Sequence, residues 1–337
     1  MTTAHGAVIL GCAGVALLPE EAAFFRAADP WGFVLFARNV EDPVQLRRLT
    51  GDLRSAVGRN APVFTDQEGG RVQRLRAPHW REWTPPLDFA TVAGDRAARA
   101  LWLRYRLIAH ELRGVGIDGN FSPCLDVARA ETHPFLRNRC LGDEPATVGH
   151  LGRAAAQGHL DGGVLPVVKH MPGHGRGVSD SHFDPPVTDA DLPDLATTDF
   201  APFAALSDLP LGMTSHVVYR ALDDLPATQS ARTISHIRQV IGFDGLLMTD
   251  DLSMQALSGA LAERAARSLQ AGCDVALYCK AEIADAEAVV AASGAMTAAA
   301  MTRASRALEA RRPPEAVDIA ALEAELRGLL NGAVHGG

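Results

Sequence analysis

"FDGLLMTDDLSMQALSGALAERAARSLQAGCDVALYC", residues 243–279, opens on an apolar run that stops at two aspartates. Ala, Leu, Glu and Arg at helical spacing follow, and a second apolar run, CDVALYC at 273–279, closes the stretch. A strand that is apolar throughout is buried on both faces, as in a parallel sheet, and the amphipathic segment between two such strands is the helix that returns the chain to the same edge. The stretch therefore reads as one β-α-β unit.

Outward from it the unit recurs. AVILGCAG (7–14) precedes a helix opened by Pro19, Glu20 and Glu21, and WGFVLFA (31–37) precedes DPVQLRRLTGDLRSAVG. APVFTD (61–66) leads to DRAARALWLRYRLIAHELRGVG, and IDGNFSPCLDV (117–127) to EPATVGHLGRAAAQGHLDGG. VLPVVKH (164–170) leads through a glycine-rich loop to LATTDFAPFAAL, LGMTSHVVY (211–219) to SARTISHIRQVIG, and CDVALYC to AEIADAEAVVAAS. Eight strand-helix units are what a closed (β/α)8 TIM-type barrel requires. The runner-up, an open doubly wound sheet, would want a G-x-G-x-x-G after a strand, and none stands there. The expected organisation is a single barrel domain over 1–337 whose helical tail, from about 295 to 337, lies against the barrel without chemistry of its own.

Composition excludes several functions. With 47% hydrophobic and 21% charged residues in 337, the chain has ample material for a large core, and disorder is not a reasonable reading. A formal charge of -8 disfavours nucleic acid and anionic membranes, both of which call for a basic face. The five cysteines are scattered, without CxxC spacing, which points to a reducing compartment rather than a disulfide framework. The N-terminal apolar stretch has no Lys or Arg before it and runs into PEE, so it reads as a buried first strand rather than a signal peptide. A cytoplasmic monomer acting on a small molecule or a neutral polymer is expected, with no cofactor, no metal and no membrane insertion.

In a barrel the site lies at the carboxyl ends of the strands. There the sequence collects Asp66, Glu68, Arg71 and Arg74; Asp126, with Arg137 and Arg139 in the loop beyond; Lys169 and His170; Ser215 and His216; Asp250 and Asp251. A single polar strand end is more often a helix cap, but five consecutive ones gather more charge at one mouth than stability alone would. Within KHMPGHGRGVSDSH (169–182), a metal site lacks ligand spacing, and a phosphate loop lacks a following helix because Pro185 and Pro186 intervene. A mobile catalytic loop fits better: Gly173, Gly175 and Gly177 offer hinge freedom, and Asp180 and His182 at i and i+2 form an oriented acid/base, with His174 holding the loop's shape. Asp250, ending an apolar strand, is the candidate carboxylate nucleophile, while Asp251 caps the next helix or supports the loop.

At these residues the chain resembles the bacterial β-N-acetylhexosaminidases of glycoside hydrolase family 3, cytoplasmic enzymes of cell-wall recycling. The resemblance rests on ILGCAG, TDQEGGRVQRL, FSPCLDV, KHMPGHG with DSH, MTSHVVY and TDDLSM, in that order. It implies a retaining mechanism through a covalent glycosyl-enzyme, with Asp250 as nucleophile and His182 paired with Asp180 as acid/base. It further implies that Asp66, Arg74, Arg139, Lys169 and His170 hold the sugar, and that the substrate is a GlcNAc-anhydro-N-acetylmuramic acid muropeptide. The alternatives are a metal-dependent hydrolase or aldolase on the same barrel, and a glycosidase or phosphorylase of the family with another sugar preference.

Overall fold

The computed structural model describes residues 4–177 and 185–330. Eight parallel strands close into a barrel: β1 Gly6–Gly11, β2 Pro30–Leu35, β3 Val63–Thr65, β4 Gly119–Asn120, β5 Leu165–Met171, β6 Leu211–Thr214, β7 Leu246–Asp251 and β8 Val275–Tyr278. Each strand pairs with its sequence neighbours, and β8 returns to β1 through Val8↔Ala276 and Ile9↔Leu277. The eight-stranded barrel expected from the alternation is thus present.

Two of the expected strands are shorter than the apolar runs. Only Gly119–Asn120 of 117–127 joins the barrel; Pro123 has no N–H for a ladder, and pairing resumes as a bridge from Cys124 to Lys169. In 211–219 the strand ends at Thr214, and Val218–Tyr219 pairs instead with Val187–Thr188 as a separate ribbon. The helical segment at 195–206 is two short helices, Leu192–Thr197 and Ala201–Ala205.

The helices form where caps and apolar spacing agree. In Pro43–Val57, Asp42 accepts from the N–H of Val44 and Gln45, Pro43 sits at the first position, and Leu46, Leu49 and Leu53 recur on the face that is buried. Gly58, at φ 65°, ends it in the left-handed cap that a side chain would strain.

The barrel interior is filled, not hollow. Ile9, Val34, Phe64, Phe121, Val167, Leu211, Met248, Val275 and Leu277 are all at most 2% exposed, and Phe64 stacks on Phe121 at 5.5 Å. Met296 and, from the helix Ala298–Ala310, Ala300, Ala304 and Ala307 join this cluster at helical spacing. The small alanines let the helix lie close against the interior. The last helix, Ile319–Leu329, is tied to the helix Ala97–Gly114 by Arg99, which donates to both oxygens of Glu325 at 2.7 and 2.8 Å. No helix among the described residues is long and apolar enough to cross a membrane.

Candidate active site

The carboxyl end of the barrel holds a pocket of about 330 Å³ whose lining includes Asp66, Arg74, Arg139, Lys169, His170 and Asp250. Six residues drawn from four places in the sequence therefore meet in one cavity. Asp180 and His182, the expected acid/base pair, lie outside the described residues.

Local structure explains how each is aimed. Asp66 follows β3 directly, and the chain then doubles back in a small antiparallel hairpin, Gln67–Gly69 with Val72–Gln73. The Gln67 side chain staples this hairpin: its Oε1 accepts from the N–H of Arg74 and Leu75, while its backbone exchanges hydrogen bonds with the Asn120 side chain on β4. Arg74 is thereby turned back to donate to Asp66 Oδ2 at 2.9 Å. Arg139 comes from the loop after β4, just beyond the one-turn helix Pro134–Arg137. Lys169 and His170 are consecutive on β5, and Asp250 is next to last on β7.

The β3–β5 wall is an interlocked charge network. Lys169 donates to Asp66 Oδ1 at 3.0 Å and to Glu68 Oε1 at 2.6 Å, and Arg139 grips Glu68 with two bonds at 2.8 and 3.0 Å. Glu68 is 1% exposed and Lys169 2%, so these charges exist only because they face each other. Burial alone would raise both carboxyls, but the cations outweigh it: Lys169 and Arg74 hold Asp66 well below the usual carboxylate range, and Arg139 and Lys169 bring Glu68 down to about 2. Phe36 flanks Arg74 at 5.3 Å from the ring centroid, and Arg104, itself wholly buried, donates to the Glu68 and Thr84 carbonyls.

His170 is fixed by a carboxylate behind it. Its Nδ1 donates to Asp126 Oδ2 at 2.7 Å, which leaves Nε2 toward Arg139 and the pocket. The other Asp126 oxygen accepts from the His174 N–H at 2.6 Å. His174 thus shapes the loop through its backbone; burial pushes its imidazole down to about 4, and among the described residues its Nδ1 has no partner. Cys124 Sγ also donates to Asp126 Oδ2, and Cys124, Asp126 and His170 are the one group among the described residues close enough to share a metal ion. In that group the carboxylate already accepts from both the thiol and the imidazole.

Asp250 is different. It is partly exposed to the pocket, and its one hydrogen bond among the described residues comes from the N–H of Asp251, 2.8 Å from Oδ1. Burial would raise its pKa, but His170, His216 and that N–H outweigh it and hold the carboxyl below its ordinary value. Asp251 supports the loop rather than capping a helix: it accepts from the Ser253 N–H and hydroxyl and from the Cys279 N–H, and the next helix begins only at Leu261.

An ionised carboxylate opposite a built polar wall is the arrangement needed to hold a polyhydroxylated ring against a nucleophile. Residues 22–310 match the glycosyl hydrolase family 3 N-terminal domain. The chain belongs to that family, and it is a glycoside hydrolase. It is 37% identical over 285 residues to a beta-hexosaminidase of Alkalilimnicola ehrlichii, and 36% identical over 283 residues to one of Methylobacillus flagellatus, covering 81% of this chain and 80% of the relative in each case. It is also similar to the crystal structure of NagZ from Neisseria gonorrhoeae in complex with N-trifluoroacetyl-D-glucosamine, with a TM-score of 0.87, 28% identity, and coverage of 97% of this chain and 98% of that one.

The described part of the glycine-rich segment in this family 3 chain departs from the hinge expectation. Met171 to Gly175 are buried, and a Cβ on Gly175 would stand 2.0 Å from the Val127 carbonyl oxygen. Gly173, at φ 144°, adopts a backbone conformation that side chains avoid. Both glycines serve close packing, Gly175 against the β4 loop and Gly173 against Asp199, whose carbonyl oxygen a Cβ would meet at 2.7 Å. Of the other strand-end residues, Glu68, Asp126 and His216 support the site from behind, His216 through Nε2 to the Asp251 carbonyl at 3.1 Å. Arg137 instead donates to the Arg129 carbonyl and stands exposed, and Arg71 lies over the Phe135 ring. Phe36, Gln255 and Lys280 line the pocket without any local signature in the sequence; only placement at the end of a strand or in the loop beyond one could have found them.

Proposed function

We propose that this enzyme is an exo-acting, retaining β-N-acetylglucosaminidase that removes non-reducing terminal GlcNAc from peptidoglycan-derived muropeptides in the cytoplasm, as a monomeric single-barrel domain. The observation that carries the chemistry is the contrast at Asp250, an ionised carboxylate with one backbone hydrogen bond and no ion pair among the described residues, facing a wall whose charges are all paired. An oxygen not tied to a cation keeps a lone pair for carbon.

The proposed course has two displacements. The Asp250 carboxylate attacks the anomeric carbon as the glycosidic bond breaks, and His182, oriented by Asp180, gives the departing oxygen a proton. A water that returns its proton to His182 then attacks the glycosyl ester and restores Asp250. Two inversions give net retention. Asp66, Arg74, Arg139, Lys169 and His170 hold the ring hydroxyls and the acetamido group. The hexosamine specificity is supported by the beta-hexosaminidase relatives and by the N-acylated glucosamine in the Neisseria complex.

The test is a product assay on GlcNAc-anhydro-N-acetylmuramic acid beside chitobiose, with the first-formed anomer followed by NMR and with EDTA present. GlcNAc released first as the β-anomer, at a rate that chelation leaves intact, is the expected result. Release of the α-anomer, or loss of activity with EDTA, would overturn the reading.

A further inference from the structure

The sequence contains 32 Lys and Arg residues, and only two of them are lysines, Lys169 and Lys280. Both line the one pocket just described. Lys169 is committed, since it is buried and bridges two carboxylates. Lys280 stands two residues beyond the end of β8, exposed at the rim beside Gln255, Met254 and Cys279. Among the described residues it makes no hydrogen bond or ion pair.

The neighbouring acids do not call on it. Asp251 is occupied by the Ser253 hydroxyl and N–H and by the Cys279 N–H; Asp250 has the Asp251 N–H and the field of two imidazoles. Glu282, two residues on, feels the Lys280 charge, but it is solvent-exposed and its Oε2 accepts from the Tyr278 hydroxyl at 3.3 Å. A cation that is left over from the local balance and lines the pocket is available to the substrate. The residue type matters too. Arginine makes a rigid two-point fork, whereas lysine is a compact point charge on a long flexible stem, suited to an anion that is not held in one orientation.

We propose that Lys280 is an anion receptor on the β8 wall of the pocket, and that the natural GlcNAc-containing substrate presents a carboxylate or another acidic group there. This rests on the glycosidase reading above and extends it, because it makes charge a determinant of which glycosides are taken. The acidic group has two possible sources, the leaving group and the GlcNAc ring itself.

The experiment compares the enzyme with Lys280→Gln, Lys280→Glu and Lys280→Arg on four substrates. They are neutral 4-nitrophenyl β-GlcNAc, GlcNAc β-linked to N-acetylmuramic acid as the free acid and as its methyl ester, and the 6-phosphorylated 4-nitrophenyl glycoside. A charge contact of this exposure shifts affinity by roughly 2- to 5-fold. Lys280→Gln should therefore raise KM for an acidic substrate by about that factor more than for its neutral counterpart, with Lys280→Glu worse, Lys280→Arg largely restored, and the difference shrinking in 0.5 M salt. An effect on the muramic acid pair places the anion on the leaving group; an effect on the phosphorylated sugar places it on the ring. If the acidic-to-neutral ratio of Lys280→Gln equals that of the wild type in both arms, the anion receptor is wrong while the glycosidase stands. If the wild type turns over none of the four, the glycosidase reading itself has failed.

Discussion

The two walls of the pocket are built on opposite electrostatic plans. On the β3–β5 side two buried carboxylates and three cations satisfy one another through bonds of 2.6 to 3.0 Å. Across the mouth, Asp250 on β7 receives one backbone N–H and, among the described residues, no ion pair. Groups that have spent their charge on each other make a rigid, preorganised surface; a group that has not spent it keeps it for reaction. Under the proposed function, stability and binding fall to one wall, and chemistry to the other.

The sharpest break of that contrast is Asp250→Ala. With no carboxylate to form the glycosyl ester, kcat on a chromogenic GlcNAc glycoside should fall by about 10⁴-fold or more. Because Asp250 supports little else, the thermal unfolding midpoint should move by no more than a few degrees. Near-normal turnover would remove Asp250 from the mechanism, and gross unfolding would remove the contrast between the walls.

Glu68→Ala attacks the other wall and should do the reverse. Among the described residues it leaves Arg139 with His170 Nε2 at 3.4 Å as its remaining polar partner, and Lys169 with Asp66. Removing one member of such a buried set costs about 3–5 kcal/mol, readable in urea unfolding. Activity should fall with it, mainly through KM, because the released cations no longer share one geometry. An unfolding free energy within 1 kcal/mol of wild type would mean that the network contributes no rigidity.

The same wall sets an acid limit. The Glu68 carboxyl is lowered in the folded chain to about 2 from an ordinary value of 4.5. A depressed carboxylate contributes its stability in full above the unfolded value and loses it as pH falls toward the folded one. Between pH 4.5 and 2 the wild type should therefore lose stability faster than Glu68→Gln, whose curve lacks this term. Parallel curves would show that Glu68 is not held ionised.

What the sequence disclosed follows the same division. The barrel was legible because buried parallel strands are uninterrupted apolar runs, and Asp66, Lys169, His170 and Asp250 were legible because they end such runs. The partnerships were not. That Glu68 meets both Arg139 and Lys169, and that Asp126 stands behind His170, depends on the stagger between strands, which no local pattern encodes. The strand ends near Asn120 and Thr214 were misplaced for a related reason, since an apolar run continues past the point where its backbone leaves the ladder. Gly175 looked like a hinge because the carbonyl it must clear, that of Val127, lies 48 positions away in sequence.

Phe36 offers the finest test of the contrast. At the end of β2 its ring lies between Arg38, 5.0 Å from the centroid, and Arg74, at 5.3 Å. If the ion pair to Asp66 does most of the work of aiming Arg74, the ring adds only a second restraint on a guanidinium already fixed by charge. A cation over an aromatic face at a partly exposed site is worth about 0.5–1 kcal/mol. Phe36→Leu keeps apolar bulk but deletes the ring, so KM for a GlcNAc glycoside should rise by about 2- to 5-fold with kcat nearly constant. A loss comparable to that of Glu68→Ala would mean that the wall is held by its aromatic flank as much as by its charges. A loss in kcat alone would place Phe36 with Asp250, on the reacting side.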